Sequence, residues 1–197
     1  MYGVILKERT GNFVSYVYEH FDSREHERIR NLLEKEKLYT KAGFGEISSH
    51  EFLSRLGFAD TEYHMKNYIE NYLSIDRSFI AFAEKYYKKY EFVLLSTDVS
   101  EWSKYITQYY CLDKYFKYKI VSGDVHLRKP DSQIYEITLK QANKKPNRCL
   151  FIDDNINNIL AADKLGINTM LFNRYNEQYY GETVDSFEKL DKKLQSL

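Results

Sequence analysis

The sequence contains little proline or cysteine and no excess of either charge. There are two prolines and two cysteines in 197 residues, and both Lys plus Arg and Asp plus Glu number 29, so the formal net charge is zero. A general binder of nucleic acid or of a membrane surface would carry a basic excess, and we therefore expect no nucleic-acid partner. Cys111 and Cys149 fit no redox or zinc pattern, which favours two reduced thiols in a cytoplasmic protein.

Long apolar runs are also missing. No stretch approaches the roughly 20 residues of a membrane span, and the first residues show no basic region followed by an apolar core, as a signal peptide would. We therefore expect no membrane association. What the chain does have is length and aromatic residues, including 19 tyrosines. A chain of this size can bury a substantial core, and we expect one domain with an insertion.

Residues 13 to 90 show the apolar periodicity of helices. Ser48 and Glu51 form a capping box that predicts the start of one helix, and Gly57 predicts its end. Asp22 with Glu25 predicts the start of an earlier one. Other apolar stripes predict the neighbouring helical faces: Ile29, Leu32 and Leu33; Met65, Tyr68, Ile69 and Tyr72; and Phe79, Phe82, Tyr86 and Tyr87.

From about residue 91 the pattern alternates between strands and helices. Predicted strands are Phe92–Leu95, Tyr118–Val121, Cys149–Ile152 and Thr169–Phe172. Predicted helices are Glu101–Tyr110, Ser132–Ala142, Asn157–Leu165 and a terminal helix with Phe187, Leu190 and Leu194 on its apolar face. This alternation predicts an α/β fold with a doubly wound, mainly parallel sheet.

Polar residues follow three of the predicted strands, where ligands of such sheets bind. Ser96 and Thr97 offer a hydroxyl and a backbone N–H to a phosphate oxygen. Lys129, restricted to extended backbone by the proline that follows, can pair with a carboxylate or a phosphate. Asp153 and Asp154 are adjacent like charges that favour a nearby cation such as magnesium. Taken singly, each has an ordinary alternative: a helix cap for Ser96, a solvated surface lysine, and an Asp-Asp turn.

Four motifs in this order resemble those of haloacid dehalogenase superfamily hydrolases that have a helical cap inserted early. Val93-Leu-Leu-Ser96 matches the second motif of that family, a strand that ends in Ser or Thr. Lys129-Pro130 matches the third motif, and Phe151-Ile-Asp-Asp154 the fourth, a strand that ends in paired acids. The segment from Gly45 to Gly57 is typical of the cap. The resemblance covers essentially the whole chain.

The resemblance implies an α/β core, Rossmann-like, from residues 1–12 and 91–197, and an all-helical cap from residues 13–90. It implies a magnesium-dependent phosphatase acting on a small phosphorylated metabolite, as a monomer or homodimer. It also implies roles for six residues: Ser96 and Thr97 bind phosphate, Lys129 neutralises phosphate and nucleophile, Asp154 is the direct magnesium ligand, Asp153 a second or outer-shell ligand, and Tyr2 a ligand through its backbone carbonyl.

The first motif departs from the family pattern. There, a strand ends in a nucleophilic aspartate, followed two residues later by a second aspartate that acts as general acid and base. Met1 to Leu6 resembles the tail of this motif. The nucleophile would then immediately precede Met1, and its strand, central in the family's sheet, would also lie outside this sequence. Tyr2 takes the place of the second aspartate. We expect a gap in the sheet and two open strand edges.

Three functions follow from these observations. The first is the phosphatase, working through an aspartyl-phosphate. The second is a non-catalytic relative that binds a phosphorylated ligand or a protein partner, an interpretation favoured by the missing aspartate and by Tyr2. The third is a metal-free hydrolytic dehalogenase, which the Asp153-Asp154 pair disfavours because adjacent acids gain little without a cation.

Overall fold

A computed structural model describes residues 1–9 and 12–196 of the chain. Its α-helices are α1 (Phe13–Glu19), α2 (His26–Arg30), α3 (Leu38–Gly43), α4 (Ser49–Leu56), α5 (Thr61–Tyr72), α6 (Arg77–Tyr86), α7 (Ser100–Tyr109), α8 (Ser122–Val125), α9 (Ser132–Ala142), α10 (Ile156–Asp163) and α11 (Phe187–Gln195). Its strands are β1 (Phe92–Ser96), β2 (Phe116–Val121), β3 (Leu150–Asp153), β4 (Asn168–Phe172) and β5 (Thr183–Val184).

The start of α4 predicted at Ser48 is confirmed, through one of the two hydrogen bonds of a capping box. The Ser48 hydroxyl accepts a hydrogen bond from the Glu51 N–H at 3.1 Å, which satisfies one of the free donors of the first turn. Gly57 ends the helix at φ 111°, a left-handed backbone that glycine adopts at little cost. The apolar positions Phe52, Leu53 and Leu56 are buried.

The helix predicted after Asp22 is less regular than expected. The Asp22 side chain does accept the Arg24 N–H, but the segment it caps is a single 3-10 turn, Ser23–Glu25. The turn leads into α2, which continues as a π-helical segment over Asn31–Lys35. Apolar periodicity places Ile29 in the core correctly, but it does not report hydrogen-bond register, so the π segment was not predictable.

Among the described residues every pair of strands β1 to β5 is parallel, and Leu6 and Ile75 form an isolated antiparallel bridge, which confirms the predicted α/β class with a mainly parallel sheet. β1 pairs with β2, and Ser96 lies opposite Val121 at the carboxyl end. β3 pairs with β4, and β4 with β5. Within the described ranges these pairs form two hydrogen-bonded sheets, of order β1-β2 and β3-β4-β5. Instead of one continuous sheet, the structure therefore has two, with β1 and β3 each unpaired on one side.

Both sheets share the same two apolar layers. Leu94 of β1 and Ile152 of β3 face the larger cluster, whereas Val93 and Leu95 of β1 and Phe151 of β3 face the smaller one. This alternation is the period of a strand buried on both faces. The two sheets therefore behave as halves of one layer, with their carboxyl ends at the same edge.

The helices between residues 13 and 90 pack directly on the rest of the molecule. The Trp102 indole N–H donates to the Ser49 hydroxyl at 2.6 Å, and the Phe13 and Phe52 rings lie 5.0 and 5.9 Å from the indole. The division into a core and a cap at these boundaries remains a prediction. Across residues 1–9 and 12–196, no helix combines the length and the apolar character that crossing a membrane requires.

Candidate active site

Lys129 links the carboxyl ends of the two sheets. Its side chain is buried, with 7% of it exposed. The ammonium donates to Asp153 Oδ2 at 2.5 Å and to the Leu95 carbonyl at 3.1 Å. A buried lysine requires a counter-charge and hydrogen-bond acceptors, and here they come from β3 and from β1 respectively. The solvated surface alternative is therefore wrong for this lysine.

Asp153 is fully engaged by donors. Besides Lys129, its carboxylate accepts the Asn155 N–H at 2.9 Å and the Asn158 side-chain amide at 2.8 Å. Burial opposes ionisation of this carboxyl, but the Lys129 charge and these hydrogen bonds outweigh burial and lower its pKa. Both oxygens are thus occupied within the protein, which suits a group that orients its neighbours better than one that binds a metal directly.

Asp154 has a different environment. Its carboxylate Oδ2 lies 3.0 Å from Arg9 Nε, and it faces the backbone of Gly3 so closely that a Cβ there would come within 2.2 Å of that oxygen. Burial, followed by the Asp153 charge, raises its pKa. In the described part of the chain, Oδ1 of Asp154 has no hydrogen-bond donor. This oxygen is the one available to a cation.

Ser96 and Thr97 follow β1, as the sequence predicted, but differ in exposure. Ser96 is buried, and among the described residues its hydroxyl has no hydrogen-bond partner. A buried hydroxyl without a partner is uncommon, and at a strand end it is free to donate to a ligand or a water. Thr97 is exposed and lines a cavity of about 100 Å³ between the loop after β1 and helix α3, together with Tyr39, Thr40, Gly43, Phe44, Asp98 and Arg128.

The first residues of the chain reach the same place. Burial, and then repulsion by the like charge of Lys129, lower the pKa of the Met1 amino group to about 6, and the carboxylates of Asp153, Asp98 and Asp154 act in the opposite direction. Gly3, the residue after Tyr2, packs directly against the Asp154 carboxylate. The structure therefore brings together the ends of β1 and β3, Lys129 and the backbone at Gly3.

Asp98 was not singled out in the sequence. It is buried at the end of β1, where Oδ1 accepts the Val99 N–H at 2.9 Å, while Oδ2 lacks a partner among the residues described. Burial raises its pKa to about 7. The sequence Ser96-Thr97-Asp98 contained the signal. Asp98 is a third polar residue at the same strand end and is a candidate ligand-binding residue for the same reason as Ser96 and Thr97.

Of the groups gathered here, Asp154 is the one that could hold a partly hydrated magnesium ion. No three His, Cys, Asp or Glu side chains in residues 1–9 and 12–196 come together as a metal cluster. Magnesium is usually held by only one or two carboxylates, with waters and substrate phosphates completing six positions. Asp154 Oδ1, which has no donor, and the adjacent Tyr2–Gly3 backbone meet that requirement in part.

Solved structures of similar fold are enzymes of one superfamily. A HAD family enzyme from Bacteroides thetaiotaomicron, crystallised with magnesium and inorganic phosphate, is 20% identical and has a TM-score of 0.73, over 90% of this chain and 92% of that one. A HAD phosphatase from Thermococcus onnurineus is 16% identical, with a TM-score of 0.71 over 98% and 94%. A 2-haloacid dehalogenase from Pseudomonas syringae is 12% identical, with 0.72 over 98% and 94%.

Matches to curated proteins are shorter. The rhythmically expressed gene 2 protein of Drosophila melanogaster is 35% identical over 82 residues, which are 38% of this chain and 32% of that protein. A drimenol cyclase of Aspergillus calidoustus is 36% identical over 56 residues, 28% of this chain and 11% of that protein. The matched regions thus span less than a third of either curated relative.

The family model described as haloacid dehalogenase-like hydrolase matches residues 3–166. That range contains the ends of β1 and β3 and Lys129 between them, and its fold is that of the solved neighbours. By its sequence, this chain belongs to the haloacid dehalogenase-like hydrolase family.

Proposed function

We propose that the protein is a magnesium-dependent phosphatase of small phosphorylated metabolites. The observation that carries the proposal is Lys129, buried between the Asp153 carboxylate and the Leu95 carbonyl, next to a Ser96 hydroxyl whose own partner is missing. A fixed cation and an unsatisfied hydroxyl at the carboxyl edge of a parallel sheet suit a phosphoryl group. The crystallised neighbour that holds magnesium and phosphate supports the same chemistry.

The proposed roles follow the geometry. Ser96 and the Thr97 N–H bind phosphate oxygens, and Lys129 offsets the charge of the nucleophile and the transferring group. Asp154 and the Tyr2 carbonyl are the protein ligands of magnesium, with Asp153 in the outer shell. When bound, the ion neutralises negative charge on the phosphoryl oxygens. Helices from residues 13–90 form a cap over the core of residues 1–12 and 91–197, and the cap excludes water and selects the substrate.

The nucleophile in this proposal is an aspartate that this sequence does not contain. Its carboxylate attacks phosphorus, the alcohol leaves, and water then hydrolyses the aspartyl-phosphate. Support comes from β1 and β3, each of which has a partner strand on one side only among the described residues. A strand there would end beside Lys129. The protein is further proposed to act in the cytoplasm, as a monomer or homodimer, without nucleic-acid or membrane partners.

A non-catalytic role is the second candidate. It is favoured by Tyr2, which stands where the family has its general acid and base. Such a protein would bind a phosphorylated ligand or a protein partner at the same site. A metal-free dehalogenase is less consistent with the structure, because Asp154 keeps an oxygen without a donor beside a second carboxylate.

The test is phosphate release from an aryl phosphate with magnesium. Three proteins are compared: this chain, the chain with an added apolar strand ending in aspartate before Met1, and a matched version ending in asparagine. We expect turnover only from the aspartate version, and its loss when Asp154→Asn is introduced. If all three fold and bind phosphate but none turns over, the non-catalytic role holds. Turnover that persists without magnesium and in the Asp154→Asn variant contradicts the metal assignment.

A further inference from the structure

Arg9 connects two acidic residues that lie far from it in the sequence. Its Nε lies 3.0 Å from Asp154 Oδ2, and its Nη2 donates to the Asp154 backbone carbonyl at 3.1 Å. Its Nη1 donates to Glu177 Oε1 at 2.5 Å. About a third of each of the Arg9 and Glu177 side chains is exposed, whereas Asp154 is 13% exposed. The guanidinium thus contacts the side chain and the backbone of one residue at once.

We infer that Arg9, held by Glu177, is a positioning residue for the Asp154 carboxylate. It fixes Oδ2 and so directs Oδ1, which has no donor in the described part of the chain, toward the magnesium position. The inference rests on the proposed function, since it takes Asp154 as the metal ligand. Groups that orient a metal-binding side chain typically change metal affinity 10- to 100-fold when removed.

The geometry requires arginine rather than any cation. A guanidinium presents five N–H groups in a fixed plane, so one group can bind Asp154 twice and Glu177 as well. The ammonium of a lysine is a single point charge and cannot keep that spacing. We therefore expect Arg9→Lys to keep only part of the metal affinity that arginine at this position provides.

The segment that carries Glu177 also contacts the backbone next to the other proposed ligand, the Tyr2 carbonyl. Arg174 donates to the Gly3 carbonyl at 3.2 Å and to the Val4 carbonyl at 2.9 Å, and the Tyr175 hydroxyl donates to the Lys7 carbonyl at 2.9 Å. Residues 174–177 follow β4. They contact the backbone at Gly3 through Arg174 and the Asp154 carboxylate through Glu177 and Arg9, so they fix the positions of both. Arg9 is the contact in this set that reaches the carboxylate itself.

The test measures metal binding without turnover. Mn²⁺ binding to the full chain, with inorganic phosphate present, is followed by the loss of the free-ion EPR signal. The variants are Arg9→Gln, Arg9→Lys, Glu177→Gln and the double Arg9→Gln/Glu177→Gln. The control is Arg24→Gln, which removes an arginine from an exposed ion pair with Asp22 at 2.9 Å. Mg²⁺ is added as a competitor to show that both ions use one site.

We expect Arg9→Gln to weaken Mn²⁺ binding 10- to 100-fold and Glu177→Gln to weaken it less. The double variant should match Arg9→Gln, because Glu177 acts through Arg9. Arg24→Gln should bind as the original chain does. Unchanged or tighter binding by Arg9→Gln, in an original chain that does bind Mn²⁺, overturns the inference alone and makes Arg9 a bystander or a competitor of the ion. If Arg9→Gln does not fold, unchanged binding by Glu177→Gln overturns it. No binding to the original chain overturns both this inference and the proposed metal site.

Discussion

At the scale of single residues, the site is stabilised by charged side chains that are buried away from water. Asp153 and Lys129 each have a side chain only 7% exposed, so each depends on the other for compensation of its charge. Breaking a buried pair by removing one partner leaves the other uncompensated, which is more costly than losing an exposed pair. This asymmetry makes the pair testable by stability, independently of any activity.

We expect Asp153→Asn to lower the free energy of unfolding by about 3–5 kcal/mol at pH 7, because Lys129 stays buried without its counter-charge. The matched control is Asp185→Asn, which breaks an exposed pair with Lys189 and should cost no more than about 1 kcal/mol. Urea unfolding of both variants gives the comparison. Equal effects of the two substitutions would contradict the account of the buried pair.

The same pair predicts a direction with pH. The pKa of Asp153 is lower in the folded than in the unfolded state. The ionised carboxylate therefore stabilises the fold fully at pH values above the pKa of the unfolded state. This stabilisation is lost as the pH falls through the pKa of the folded state. The stability difference between the original chain and Asp153→Asn should therefore shrink as the solution becomes strongly acidic. A difference that grows toward low pH would be inconsistent with the pairing.

Asp98 should show the opposite sign. Burial raises its pKa to about 7, so the folded state binds the proton more tightly than the unfolded state and is favoured at low pH. Between about pH 4 and pH 7 this carboxyl lowers stability by up to about 4 kcal/mol, at ~1.4 kcal/mol per unit of pKa. Relative to the original chain, Asp98→Asn should gain stability over that interval, measured by urea unfolding at several pH values. Glu188→Gln, at an exposed carboxylate, is the control for the removal of one negative charge.

The site residues named from sequence share a simple origin. Ser96, Asp153 and Asp154 stand at the ends of strands whose apolar pattern is strong, so their placement could be read directly; Lys129 lies in the loop between α8 and α9, where the proline that follows it was the signal. Arg9 and Glu177 could not be found in this way, because they are 168 positions apart and only the fold brings them together. Asp98 could have been found, but its missing partner is visible only once burial is known.

At the scale of elements, the predicted strands are correct where the apolar pattern extends over several residues. The cores of β1 to β4 were placed correctly, although β2 begins at Phe116, two residues before its predicted start. β5 has only two residues, Thr183 and Val184, and no alternation can be recognised in so short a segment. Its pairing with β4 is set by the chain that returns after residue 172, a tertiary contact that local pattern does not report.

Helix α4 offers a test of local determinants. Ser48 caps it through a 3.1 Å hydrogen bond to the Glu51 N–H. Ser48→Ala should lower the free energy of unfolding by about 1 kcal/mol, while Ser48→Asn, which can also cap, should change it by only a few tenths. Thermal unfolding of the two variants measures the difference. An alanine variant as stable as the original chain would mean that packing of Phe52 and Leu53 alone sets the start of this helix.

At the scale of the whole molecule, the dominant feature is a sheet in two halves. β4 has a partner strand on both sides, whereas β1 and β3 each have one among the described residues. Side chains from both halves pack into the same apolar layers. The open sides of β1 and β3 therefore lie within the molecule and not at its edge. Backbone groups on such a side must find partners other than a neighbouring strand, as the Leu95 carbonyl of β1 does with Lys129.

Amide hydrogen exchange should report this asymmetry. We expect the N–H groups of β4 to be the most protected strand amides, and part of those in β1 and β3 to exchange markedly faster, because their hydrogen bonds are not made to a neighbouring strand. Addition of an apolar strand before Met1 should slow exchange in β1 and β3 selectively and leave α11 unchanged. Uniform protection across β1, β3 and β4 in the original chain would mean that the open sides are already closed by other backbone groups. Slowing in β1 and β3 together would show that one strand bridges both halves, as a continuous parallel sheet requires.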